Sequence, residues 1–131
     1  MNTKKAYVVG TQVRKSLSPI IFQHWFDKYN IDGKYTYRQI DEASFDKDIK
    51  SILREENLCG FNVTIPYKEK ILPYLTKIDT HSSKIGAVNC VTKTENSIEG
   101  INTDWIGFND SISNAKLLNP KANKLTKKMR R

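Results

Sequence analysis

The hydrophobic pattern switches repeatedly between short β-branched runs and helical stripes. Ala6 to Val9 is a compact apolar run stopped by Gly10, the pattern of a buried strand. Ser18-Pro19 then opens the segment IIFQHWFDKY, with serine at the cap and proline at the first helical position. Within it Ile21 and Trp25 share one face, and Phe22, Phe26 and Tyr29 the next. Lys34 to Ile40 alternates loosely and is rich in tyrosine, which predicts a second strand. Ser44 is placed to cap a helix whose Phe45, Ile49, Ile52 and Leu53 form one stripe, with Asp46 and Asp48 near its positive end.

A third strand is expected over Phe61 to Ile65, entered at Gly60 and stopped by Pro66. Short helical pieces follow around Lys68 to Leu75 and Thr80 to Ile85. Ala87 to Thr92 and Ser97 to Ile101 read as two strands of a hairpin. Asp104 stands where a cap would stand, ahead of a helix carrying Trp105, Phe108 and Ile112. From Asn114 the periodicity fades. Strands alternating with helices predict a three-layer α/β domain over residues 1–113. Its sheet is expected to be mostly parallel and twisted, with one antiparallel hairpin and helices on both faces. Residues 114–131 read as a basic linker or tail.

Composition narrows the class. The chain has 131 residues, 38% hydrophobic and 27% charged, enough for one domain with a core. No stretch reaches the ~20 apolar residues of a membrane span. MNTKKAYVVG lacks the apolar core of a secretory signal, so a cytoplasmic location is expected. Cys59 and Cys90 match no metal box and no disulfide framework, and read as small core residues. The net charge of +8 first suggests nucleic acid. All 14 acidic residues, however, lie at or before Asp110, while seven basic residues and no acid follow Ser111. The globular part is therefore nearly neutral, and neither a nucleic-acid nor a membrane partner is expected.

Ligands of open α/β sheets sit at the carboxyl ends of the strands. The polar residues falling there are Ser16 and Ser18 after the first strand, and Asn62, Thr64 and Lys68 on and after the third. Asn89 lies in the fourth, and Asn102, Thr103 and Asp104 follow the fifth. Hydroxyls at a helix start suit a carboxylate, and Asn with Asp suits vicinal hydroxyls. Each also has a bland reading: Ser18 and Asp104 as caps, Asn89 as a satisfied core amide, Lys68 as a solvated surface charge.

Four strings decide between these readings. KSLSP at Lys15 to Pro19, GFNVTIPYKEK at Gly60 to Lys70, GAVNCV at Gly86 to Val91 and GINTDWIGF at Gly100 to Phe108 occur in this order. Together they closely resemble the substrate-binding domain of shikimate dehydrogenase over roughly residues 5 to 112. The resemblance implies an NADP-dependent oxidoreductase that reduces 3-dehydroshikimate to shikimate, on the way to chorismate and the aromatic amino acids. Carried over by motif, Ser16 and Ser18 would bind the substrate carboxylate. Thr64, Asn89 and Asp104 would hold the ring hydroxyls, and Lys68 and Asp104 would be the catalytic pair.

Some positions depart from the family. Lys15 stands where histidine is common, Cys90 replaces a threonine, and Trp105 replaces a frequent glycine. The six glycines include no G-x-G-x-x-G, and the resemblance implies that NADP is bound by a second domain. These residues are thus expected to be the substrate-side portion of the enzyme, without turnover alone. The alternative is a free-standing module that binds shikimate-like hydroxy acids without catalysis. Acceptance of quinate, direction of flux and oligomeric state are left open by the sequence.

Overall fold

A computed structural model describes the backbone of residues 2–118 and the side chains of residues 2–115. In chain order its elements are β1 (Lys4–Gly10), α1 (Ser18–Lys28), β2 (Gly33–Gln39), α2 (Phe45–Leu53) and β3 (Leu58–Val63). There follow β4 (Lys77–Ile78), α3 (Thr80–Ile85), β5 (Cys90–Lys93), β6 (Ile98–Ile101) and α4 (Thr103–Leu118). The strands form one sheet in the order β2-β1-β3-β5-β6-β4. β1 pairs in parallel with β2 and β3, and β4 with β6, whereas β5 runs antiparallel to both of its neighbours. The expected α/β architecture is what forms. Among the described residues no helix is long and apolar enough to cross a membrane.

The alternation along β1 shows why the sheet has two covered faces. Tyr7 and Val9 join Ile49, Ile52, Phe61, Val63, Tyr67, Val88 and Val91 in the larger core, beneath α2. Val8 points the other way, to Val13 and Tyr35 and to Phe22 and Phe26 of α1. Phe22 stacks flat on Tyr35 at 4.5 Å between ring centres. The larger core is closed by Tyr67, whose ring lies 4.3 Å from that of Phe45 and whose hydroxyl donates to the Ile40 carbonyl at 2.5 Å.

Several boundaries differ from the sequence expectation, each for a local reason. Helix α1 is capped from Leu17 with no side-chain hydrogen bond; the Ser18 N–H instead donates to Ser16 Oγ at 3.2 Å. Ser44 precedes α2 but does not bond a helical N–H, because its hydroxyl pairs with Asp48 at 2.7 Å after a 3-10 turn over Glu42–Ser44. β3 starts three residues early and stops at Val63, leaving Thr64 and Ile65 in the turn before Pro66. The helical piece foreseen over Lys68 to Leu75 shrinks to a 3-10 turn at Leu72–Tyr74, where Pro73 removes a donor. The hairpin forms, but β5 begins at Cys90, so Asn89 precedes the strand. Both cysteines are half-buried rather than core, and burial raises the Cys90 thiol pKa. Helix α4 continues past residue 113 to Leu118, and residues 119–131 of the basic segment lie outside the described residues.

Gly60 lies where β3 and β5 leave no room for a side chain. A Cβ there would sit 2.2 Å from the Val91 carbonyl oxygen, a backbone atom that moves only if β3 and β5 part. In the segment before β3, Glu55 accepts from both Tyr7 Oη and Arg38 Nη1. Burial raises the Glu55 carboxyl pKa, but these two bonds and the Arg38 charge together outweigh it and hold the carboxyl below the ordinary glutamate range. A carboxyl depressed on folding stabilises fully above its unfolded midpoint, and that contribution is lost as pH falls through the folded one. Glu55→Gln is therefore expected to cost about 1 kcal/mol at neutral pH. It should also flatten the acid limb of stability below roughly pH 4. Urea unfolding of both proteins between neutral pH and pH 3 checks this, and parallel acid limbs would contradict it.

Candidate functional site

Strand direction gathers the polar residues. β1, β3 and β6 end at one edge of the sheet, and the reversed β5 begins there, with Asn62, Cys90 and Ile101 in register across three strands. The Val63 N–H donates to the Asn89 carbonyl at 2.8 Å, and the Asn89 N–H to the Ile101 carbonyl at 3.3 Å. Main chain on both sides thus fixes Asn89 at the edge. On the other flank the Thr64 N–H donates to the Val9 carbonyl at 2.9 Å. The Thr64 methyl fills the space above Gly10, where a Cβ would come within 2.6 Å of it. Thr64 is thereby packed against the end of β1.

The centre of the edge is an ion pair. Lys68 Nζ lies 2.9 Å from Asp104 Oδ2, with side chains 35% and 60% exposed. The partners are 36 residues apart, one on the turn after β3 and the other in the first turn of α4. Lys68 keeps two N–H donors and Asp104 one carboxylate oxygen for a ligand. An exposed pair of this kind contributes about 0–1 kcal/mol to stability, too little to account for the local architecture by itself.

Asp104 is not the cap of α4. That position belongs to Asn102, whose Oδ1 accepts the Trp105 N–H at 2.9 Å, while Asp104 stays free to face Lys68. Asn89 also holds the helix start: its Oδ1 accepts the Thr103 N–H at 2.8 Å, and its Nδ2 donates to Thr103 Oγ1 at 2.9 Å. The bland reading of Asn89 as a satisfied amide is thus partly right. One N–H of its side chain is still uncommitted. Behind it, Tyr35 Oη donates to Asn62 Oδ1 at 2.7 Å, and Asn62 Nδ2 to the Asn89 carbonyl at 3.4 Å.

The hydroxyls of Ser18 and Thr64 have no hydrogen-bond partner among the described residues, and Ser16 Oγ receives only the Ser18 N–H. No hydrogen bond joins either serine to the Lys68–Asp104 pair. The sequence-predicted residues therefore divide into two groups. Lys68, Asp104 and Asn89 form a bonded cluster through α4, while Ser16, Ser18 and Thr64 stand on the adjoining turns with hydroxyl capacity to spare. The capping role of Asn102 was missed, although asparagine just ahead of an apolar-periodic helix is itself a cap signature.

Known proteins are similar to this chain in sequence and fold. The sequence model of the shikimate dehydrogenase substrate binding domain matches residues 8–91. Shikimate dehydrogenase (NADP(+)) of Staphylococcus haemolyticus is 41% identical over 104 residues, covering 79% of this chain and 38% of that protein. The same-named protein of Clostridium botulinum strain Loch Maree is 43% identical over 105 residues, covering 80% of this chain and 40% of its own. Among solved structures, shikimate dehydrogenase of Aquifex aeolicus aligns with a TM-score of 0.80 at 33% identity, over 90% of this chain and 43% of that one. That of Thermus thermophilus, solved with NADP(H) and shikimate, aligns with a TM-score of 0.76 at 28% identity, over 86% of this chain and 42% of that one. This chain spans about two fifths of the length of the curated relatives it matches. By sequence, fold and the order of its motifs, it belongs to the shikimate dehydrogenase substrate-binding domain family.

Proposed function

We propose that this domain is the substrate side of an NADP-dependent shikimate dehydrogenase, with a pocket for shikimate and its 3-dehydro ketone. The observation that carries the reading is the Lys68 ammonium 2.9 Å from the Asp104 carboxylate, at the edge where the strand ends and spare hydroxyls collect. Ser16 and Ser18 take the carboxylate of the acid. Thr64, Asn89 and Asp104 take the ring hydroxyls.

Chemistry assigns the remaining roles. Reduction of the ketone leaves negative charge on its oxygen, and the Lys68 ammonium stabilises that charge and delivers the proton. Asp104 orients the ammonium through their hydrogen bond. In the reverse direction the same lysine takes the proton from the alcohol. When bound, NADP supplies the hydride chemistry. The described residues do not form a cradle for its pyrophosphate. The turns after β1, β3 and β6 contain no neighbouring glycines, and the Thr103 and Trp105 N–H groups opening α4 are already taken by Asn89 and Asn102. The role of this chain is therefore to bind, orient and exchange a proton with the acid.

Two outcomes are expected. In the chain joined to a family nucleotide-binding domain, Lys68→Ala should lower kcat for NADP-linked shikimate oxidation by about 10²–10⁴-fold. KM should change much less, and unfolding free energy should stay within about 0.5 kcal/mol because the pair is exposed. Equal losses in affinity and turnover would make Lys68 a binding group only. In calorimetry the 131-residue chain should bind shikimate without reducing NADP, and a nucleotide-binding domain added in trans should restore reduction. Binding with no turnover after that addition would favour the pure binding module.

A further inference from the structure

Beyond the pair itself, we infer that Asn102 is a positioning residue that sets the distance between Lys68 and Asp104 through one peptide bond. Asn102 is 6% exposed, and its side-chain oxygen, its side-chain nitrogen and its backbone N–H each make one hydrogen bond. Its Oδ1 accepts the Trp105 N–H at 2.9 Å, its Nδ2 donates to the Ala87 carbonyl at 3.1 Å, and its backbone N–H donates to Ser82 Oγ at 2.7 Å. The amide orientation is dictated by these partners, because an N–H can only donate and a carbonyl can only accept. Ser82 is itself fully buried and held from below by Asp79, which accepts its N–H at 3.3 Å.

The Ala87 carbonyl belongs to the same peptide unit as the Val88 N–H, and that N–H donates to the Lys68 carbonyl at 2.8 Å. The one cis bond among the described residues is Ile65-Pro66, so the Ala87-Val88 unit is trans. Its C=O and N–H point to opposite sides of one rigid plane. Lys68 is therefore tied to one edge of that plane, and the start of α4 to the other. Asp104 rides in the first turn of α4 between Asn102 and Trp105, and the circuit closes where its carboxylate meets the Lys68 ammonium at 2.9 Å. The two side chains meet because their main chains are referred to one peptide plane, with Val88 fully inside the core.

This inference rests on the pocket proposed above, and its test separates the two. Asn102→Ser keeps an oxygen to cap the Trp105 N–H but removes the donor to Ala87. In crystal structures of the two proteins, the Lys68 Nζ to Asp104 Oδ2 distance should open in the variant beyond about 4 Å, the limit of an ion pair. Shikimate affinity by calorimetry should fall about tenfold, and Asn102→Ser should add nothing in an Asp104→Ala background, as expected of a residue acting through another. A merely structural role would lower the thermal midpoint in both backgrounds and leave the pair intact. Ser82→Ala loosens the same anchor from the other side; should the first variant fail to fold, the pair distance in this one decides. A pair that stays at hydrogen-bond distance overturns the inference. Shikimate affinity indifferent to both Lys68→Ala and Asp104→Ala would instead overturn the pocket.

Discussion

Strand direction is the constraint on which the rest depends. With β1, β3 and β6 running one way and β5 reversed between them, three strand ends and one strand start meet at a single edge. Thr64, Asn89 and Asp104 sit within a few residues of that edge, and Lys68, Ser16 and Ser18 stand on the segments that follow β3 and β1. The hairpin is essential to this, since a parallel β5 would carry Asn89 to the far side. Gly60 lets β3 and β5 approach closely enough for the arrangement, because a side chain there would meet the Val91 carbonyl.

Stability and chemistry are supplied by different parts of the molecule. Burial of the two apolar faces of β1, by α2 and by α1, dominates the free energy of folding at roughly 25 cal/mol per Å² of apolar surface. The half-exposed Lys68–Asp104 pair contributes little to it. In the proposed function, a side-chain pair that does not hold the fold together, yet has its main chain anchored by hydrogen bonds on both sides, meets what a pre-organised reaction site requires. Preorganisation here is a property of main chain and amides rather than of the charges.

Much of this was legible in the sequence, and the gaps have physical reasons. The cores were readable because Phe45, Ile49 and Ile52 repeat at helical spacing and β1 is apolar on both sides. Lys68 and Asp104 were identified from the motifs that surround them. Element ends were less legible. Ser44 turned its hydroxyl to Asp48, and Pro73 limited a helical stretch to one 3-10 turn. Cys59 and Cys90 looked like core because they are small and flanked by apolar residues, but no pattern reveals which face of a strand end stays half open. The capping of α4 by Asn102 is local and was readable, but the double duty of Asn89 and the tie from Asn102 to Ala87 depend on contacts between segments more than ten residues apart. Local sequence does not encode such contacts.

The central claim is that the sheet edge around Lys68 and Asp104 is a pocket for a hydroxylated cyclohexene acid. Amide and side-chain NMR shifts during titration with shikimate test it most directly. The account predicts saturable shifts at Ser16, Ser18, Thr64, Lys68, Asn89 and Asp104, all following one binding curve. Shifts confined to the outer surface of α1 and β2, or shifts at Lys68 and Asp104 that follow different curves, would contradict it.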